Sequence, residues 1–112
     1  QLHMLLGGPG GSRIPTAVLQ VFLDIVDFGM NPQEAVDAPR FHHQWLPDRI
    51  QYEKFGFSPD TLADLTRRGY TLAETASQGV AQVIVVNRDE QMLEAGTDRR
   101  APDSAAVPSR GR

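Results

Sequence analysis

Apolar residues are arranged along the chain in two ways. Leu2 to Leu6 and Val80 to Val86 are short, nearly unbroken apolar runs, and the second is rich in β-branched residues, as buried strands are. Elsewhere polar positions recur at helical spacing. Thr16, Gln20, Asp24 and Asp27 fall at steps of four, four and three, so they share one narrow stripe. Ile14, Val18, Leu19, Val21, Phe22, Leu23, Ile25 and Val26 take most of the remaining circumference. The pattern predicts a helix from about Arg13 to Phe28, buried on more than one side. Ser12 is its expected N-cap, Pro15 sits in the tolerated first turn, and Gly29 is the stop signal.

A second helix is expected from Asn31, where Asn31-Pro32-Gln33-Glu34 supplies a cap, a proline at N1 and a glutamate at N3. It closes before Pro39. Phe41 to Trp45 and Arg49 to Glu53 read as two strands around Leu46-Pro47-Asp48. Ser58-Pro59-Asp60 opens a third helix, with Phe57 and Leu62 at staple spacing and Gly69 as its end. Tyr70 to Ala73 reads as a short strand. Val80 to Val86 is expected to be central and buried on both faces. Asn87 to Glu90 is a hairpin loop into a last strand, Gln91 to Ala95. Residues 101–112, rich in Ala, Pro, Ser and Gly, are expected to be a flexible tail. The order β-α-α-β-β-α-β-β-β lacks the regular alternation of a doubly wound sheet, so the expected class is α+β.

Composition narrows the function. The 112 residues suit one domain or a piece of a larger one. Eleven Lys and Arg stand against 14 Asp and Glu, a net charge of −3, without the basic excess of a nucleic-acid binder. Cysteine is absent, which excludes disulfides, thiolate metal sites and cysteine nucleophiles within these residues. No apolar run approaches the roughly 20 residues of a membrane span, and no signal peptide is visible. The chain opens at Gln1, already within an expected strand, which reads as a piece of something longer. The shortage of elements to cover the first helix supports that expectation.

The densest chemical signal is Gly7-Gly8-Pro9-Gly10-Gly11-Ser12, between a strand and a helix. Glycines let the backbone turn sharply, and N–H groups at the positive end of a helix can hold a phosphate, a carboxylate or an oxyanion. The stretch is neither a Walker A loop nor G-x-G-x-x-G. Taken alone it also fits a tight turn. His42 and His43 are adjacent, so in a strand they face opposite ways and do not chelate one metal together. His3 offers no motif, and no cofactor or metal site is expected. Trp45 reads as a substrate platform or a core or interface aromatic. Arg13 reads as the partner of an anion at the loop or of a structural carboxylate. Asp24 and Asp27 read as a solvated or interface edge, and Asp98 as a turn carboxylate or a buttress of the site.

Gly7-Gly8-Pro9-Gly10-Gly11-Ser12-Arg13-Ile14 resembles the G-S-P-G-G-S-R-I signature of gamma-glutamyltranspeptidases. Asn31 to Gln44 is similar to that family's N-x-x-E-A-x-x-A-P-R-F-H-H-Q segment, and Gly56 to Leu62 and Gly96-Thr97-Asp98 fit its later motifs. The resemblance identifies residues 1–100 as the C-terminal portion of a small subunit. It implies part of the αββα sandwich of an N-terminal nucleophile hydrolase, cut from a precursor into large and small subunits. In that family an N-terminal threonine attacks the gamma-glutamyl amide, typically of glutathione, and water or an acceptor amine releases the acyl-enzyme. The two glycines after the signature proline, here Gly10 and Gly11, are implied to donate their N–H groups to the oxyanion and so to touch substrate. The nucleophile and the residues that hold the substrate's carboxylate and amine lie upstream in the family. The threonines of this chain are internal, so the chain alone is expected to be inactive. Its expected partners are a gamma-glutamyl substrate, the large subunit, the upstream part of the small subunit and, in isolation, another copy.

The departures are local. Gly8 replaces the usual serine, a small change in the loop as the sequence stands, and Arg99 stands where proline usually follows Asp98. The resemblance permits a periplasmic or extracellular location, which these residues do not fix. Rival readings are an anion-binding module that grips phosphate through Gly10 and Gly11, and a catalytically silent structural piece.

Overall fold

The computed structural model describes residues 1–106 and 109–110. In chain order the elements are β1 (Met4–Gly7), a 3-10 turn (Gly11–Arg13), α1 (Ile14–Val26), α2 (Pro32–Asp37), β2 (Phe41–His42), β3 (Ile50–Glu53), α3 (Pro59–Arg67), β4 (Leu72–Thr75), β5 (Gln82–Asn87), β6 (Met92–Thr97) and β7 (Ser109–Arg110). One sheet has the order β1-β5-β6-β7 and is antiparallel throughout. The other has the order β2-β3-β4, with β2 antiparallel and β4 parallel to β3.

Alternation along β5 divides the larger sheet into two faces. Leu6, Val83 and Gly96 share register on one face, and α1 and α2 cover it. Val21, Ala35, Val36, Ala81 and Val83 form the buried core there, with Leu6, Ile25, Met30 and Val85 packed against it. Each such large side chain removed from water is worth about 1.5–3 kcal/mol. Gly96 is fixed by this packing, because a Cβ there would lie 2.3 Å from the Pro32 carbonyl oxygen. The opposite face carries Leu5, Ile84 and Ala95 in register. Leu5 and Ile84 are exposed on it.

Local chemistry sets the helix ends where it was expected to. The Asn31 side chain accepts from Glu34 N at 2.9 Å, and the Glu34 carboxylate accepts from Asn31 N at 2.9 Å, a complete capping box. Ser58 Oγ accepts from Thr61 N at 3.2 Å at the start of α3. Gly29 and Gly69 both have positive φ just past helix ends.

Several boundaries differ from the sequence expectation. The residues before α1 form a 3-10 turn, so Arg13 takes the N-cap position and Ser12 is not the cap. The Ser12 hydroxyl instead donates to Gln44 Oε1 at 2.9 Å. β1 covers Met4–Gly7 rather than Leu2 to Leu6. β2 ends at His42, well short of Trp45, because Trp45 has φ 72° and Leu46 N turns back to Gln44 O at 2.9 Å. The strand expected from Tyr70 begins at Leu72, since Tyr70 N is held by Leu65 O at 3.1 Å as α3 ends. β5 is central, but only one of its faces is covered: Val83 is buried and Ile84 is 39% exposed. The same holds for α1. Ala17 and Val21 are buried on the sheet side, while Leu19, Phe22 and Val26, at steps of three and four, are exposed. Among the described residues no layer lies over either surface. Of the expected tail, residues 107, 108, 111 and 112 lie outside the described residues, Ala101 N and Ser104 N close turns onto Asp98 O and Ala101 O, and Ser109–Arg110 pair with β6.

Candidate active-site loop

The loop from Gly7 to Arg13 leaves β1 and turns into α1. Its first half rests on the backbone that leads into β5. Val80 N donates to Pro9 O at 3.2 Å. A Cβ on Gly8 would lie only 1.9 Å from Val80 O, so the loop sits directly on that carbonyl. Replacing the family's serine by glycine is therefore not small in steric terms. Gly10 and Gly11 have φ of 152° and 58°, a region that favours glycine at both positions. Arg13 N closes the turn on Gly10 O at 3.1 Å. Neither Gly10 N–H nor Gly11 N–H has an acceptor among the described residues. Both amides stand at the entry to α1, where the helix dipole adds positive potential.

The second half of the loop is tied down by side chains. Arg13 Nε donates to Gln78 Oε1 at 2.8 Å, and its Nη2 to Gln51 Oε1 at 3.0 Å. Arg13 thus pairs with two neutral amides, rather than with either of the anions expected from sequence. His42 is 3% exposed and uses both ring nitrogens: Nδ1 is 2.7 Å from Thr16 Oγ1, and Nε2 is 2.9 Å from Gln44 Oε1. His43 is turned away to Asp48 at 3.0 Å, so the two histidines do diverge. Among the described residues no group of three or more His, Asp or Glu is placed to hold a metal ion. Trp45 is 76% exposed and packs in no core of these residues. Asp27 is exposed, and Asp24 is half-buried, with burial pushing its carboxyl up against the opposing pull of Arg40.

Beneath the loop lies a buried charge cluster that sequence reasoning missed, apart from Asp98. Arg40 Nη2 donates to Asp98 Oδ2 at 2.7 Å and to Val36 O at 2.8 Å. Asp98 Oδ2 also accepts from Ala81 N at 2.8 Å, and Oδ1 accepts from Arg100 Nη1 at 2.9 Å. Arg100 pairs as well with Glu53, whose carboxylate takes Gln78 N at 2.6 Å and Arg40 N at 3.0 Å. Burial alone would raise both carboxyls. The bonds from backbone N–H groups and guanidinium groups outweigh it and hold Asp98 and Glu53 below the usual carboxylate range. The available signal was a set of charges next to apolar strand and helix residues, which needs fixed partners to be buried. A groove of about 570 Å³ runs from Gly7 and Gly8 at the start of the loop over the open sheet face, past Leu5, Ile84 and Ala95, and Ala105 and Ala106 also line it.

The gamma-glutamyltranspeptidase family model matches residues 1–108. The chain belongs to the gamma-glutamyltranspeptidase family. It is 47% identical over 103 residues to the glutathione hydrolase proenzyme of Escherichia coli, covering 92% of this chain and 18% of that proenzyme. It superposes with TM-score 0.86 and 42% identity on an acivicin-inhibited gamma-glutamyltranspeptidase, covering 90% of this chain and 55% of that one. A cephalosporin acylase from Bacillus halodurans gives TM-score 0.76 at 28% identity, over 96% of this chain and 20% of that one. The fold is accordingly α+β, part of the αββα sandwich of N-terminal nucleophile hydrolases. The chain spans about a fifth of the E. coli proenzyme and about half of the solved transpeptidase chain.

Proposed function

We propose that this chain is the segment of a gamma-glutamyltransferase or glutathione hydrolase that supplies the oxyanion hole for cleavage of gamma-glutamyl amides through an acyl-enzyme. The observation that carries the reading is the pair of consecutive amides, Gly10 N–H and Gly11 N–H, without acceptors among the described residues on a loop whose backbone is pinned on both sides. As a nucleophile adds to the gamma carbonyl, its oxygen gains negative charge. Two preset N–H donors at the head of a helix stabilise that charge without reorganising. The attacking threonine, its amine and the groups that hold the glutamyl carboxylate and amine belong, in this reading, to the upstream part of the small subunit. The large subunit and that upstream part are the partners that complete the site.

The test is Gly11→Val in the complete polypeptide, with folding checked by its melting temperature. Space is not the obstacle there, since a Cβ on Gly11 would meet nothing within 4 Å, but its positive φ strains any side chain. Valine keeps the backbone N–H, but its strain at this φ turns the peptide plane and re-aims the donor; loss of one oxyanion donor costs on the order of 100- to 1,000-fold. The loss is expected in kcat, with KM within a few fold, because the oxyanion forms only on the way to the transition state. A folded Gly11→Val enzyme with near wild-type kcat would leave the loop as a turn only.

A further inference from the structure

We infer that His42 is a positioning residue: through the Gln44 amide it clamps Ser12, and so fixes the backbone of the Gly10–Gly11 turn. The inference rests on the oxyanion reading of those two glycines and adds what holds them in place.

Gly10 and Gly11 have little conformational preference of their own, so their peptide planes are set by what anchors each end of the turn. The leading end is held by backbone, at Pro9 and Val80. On the trailing side, the first residue after Gly11 is Ser12, and its hydroxyl donates to Gln44 Oε1 at 2.9 Å. Gln44 itself lies beyond the end of β2, on exposed chain that no strand pairing holds. Its amide makes three bonds. Its Nε2 donates to Leu46 O at 2.9 Å, which fixes Oε1 as the atom facing His42 and Ser12. Its Oε1 then accepts from both the Ser12 hydroxyl and His42 Nε2.

That arrangement also fixes the histidine. Gln44 Oε1 is an acceptor only, so the facing His42 Nε2 must carry a proton. In the neutral ring, Nδ1 is then an acceptor, and of the two acceptors in reach of the single Thr16 hydroxyl proton, Nδ1 at 2.7 Å is nearer than Arg13 O at 3.1 Å and takes it. Thr16 is on α1, so the imidazole braces β2 against the helix that begins at the glycine loop. The ring is buried, its two ring nitrogens are both engaged, and it lies two side chains away from the turn it steadies. It touches no reacting atom in this reading.

The test combines three variants in the complete polypeptide with one spectrum. Ser12→Ala removes the last link on an exposed residue and should fold normally. It is expected to lower kcat about two- to tenfold, the worth of one hydrogen bond, with KM unchanged. His42→Phe should lower kcat at least as much, and Ser12→Ala added to it should cost no more than about twofold further, since the link is already broken. His42→Gln places an amide N–H near the Nε2 position and should recover most of the loss. In 15N spectra of the complete polypeptide, the neutral His42 ring should carry its proton on Nε2. Fully additive Ser12 and His42 losses, or an Nδ1–H tautomer, would overturn the clamp. Unchanged kcat in Ser12→Ala beside a large loss in Gly11→Val would also overturn it while leaving the oxyanion reading intact. Unchanged kcat in Gly11→Val would remove the oxyanion reading itself.

Discussion

Arg40 Nη2 donates to Asp98 Oδ2 at 2.7 Å with both side chains sealed from solvent. The pair reaches further than its own bond. Asp98 also holds Ala81 N at the entry to β5, and Arg40 Nη1 donates to Gly79 O at 3.3 Å. Gly79 Cα in turn lies where it would stand 3.3 Å from a Cβ on Gly10. The ion pair and the glycine loop therefore share one short stretch of backbone, Gln78 to Ala81. Asp98 is thereby linked to the glycine loop through that stretch of backbone.

Asp98→Ala should destabilise the protein by about 3–5 kcal/mol, because it leaves the Arg40 guanidinium buried without its counter-charge. Arg40 Nε already has no partner among the described residues, so the group has little slack. The midpoint of urea unfolding measures the loss. A change below about 1 kcal/mol would place the pair among ordinary surface bridges and refute its structural weight.

Acid should weaken the fold through the same cluster. Asp98 and Glu53 both have pKa values held below the ordinary range. Each therefore binds protons more readily unfolded than folded. Their contribution is complete above the unfolded values of about 3.9 and 4.3 and is lost as pH falls through the lower folded values. The melting temperature should fall steadily below about pH 5. Glu53→Gln should be less stable at neutral pH and show a shallower acid slope. A parent protein with a flat profile down to pH 2 would contradict this assignment.

Some of this structure was legible from the residues and some was not, for physical reasons. The start of α2 was readable because Asn31, Pro32 and Glu34 satisfy their own orphan donors locally, at a spacing of three residues. The same is true of Ser58 and Gly69 around α3. The glycine loop stood out because glycine is the residue that adopts φ values such as those of Gly10 and Gly11 at least cost, and four glycines stand together there. By contrast, Trp45 read as the end of a strand, since aromatic residues favour strands, yet its backbone turns at φ 72°. Arg40, Glu53 and Arg100 adjoin apolar strand and helix residues, but nothing in the local sequence names their partners. Arg40 finds Asp98 58 residues away and Arg100 finds Glu53 47 residues away, pairings that only the fold brings together. The steric role of Gly8 was hidden in the same way, because Val80 is remote in sequence.

The 112-residue chain on its own should associate. Leu19, Phe22 and Val26 make an exposed apolar stripe on α1, and Leu5 and Ile84 expose a second apolar surface on the sheet. Surfaces of this kind are seldom left open in a monomer. Sedimentation should show a mass that rises with concentration, and Phe22→Glu should lower it toward the monomer. Ile84→Glu tests the sheet face separately. A chain that stays monomeric at high concentration would count against a missing layer over α1.

Gly8→Ser restores the residue that the family signature carries, yet it should weaken this protein. The Cβ it adds would fall 1.9 Å from Val80 O and 2.8 Å from Val80 C, and both are backbone atoms that cannot swing aside. Either the loop lifts or the entry to β5 retreats. Forcing an extra methylene into a packed site costs about 1–3 kcal/mol. The displacement also pulls on the Val80 N to Pro9 O bond, which anchors the leading end of the Gly10–Gly11 turn. Gly8→Ala carries the same Cβ without the hydroxyl and should behave alike, which separates sterics from hydrogen bonding. Thermal unfolding of both variants in the 112-residue chain measures the cost, and kcat in the complete polypeptide measures the effect on the loop. If Gly8→Ser is as stable as the parent while Gly8→Ala is not, the hydroxyl finds a partner that offsets the clash. If neither variant is weakened, the loop does not sit on Val80 as tightly as these atoms place it, and glycine at position 8 is incidental.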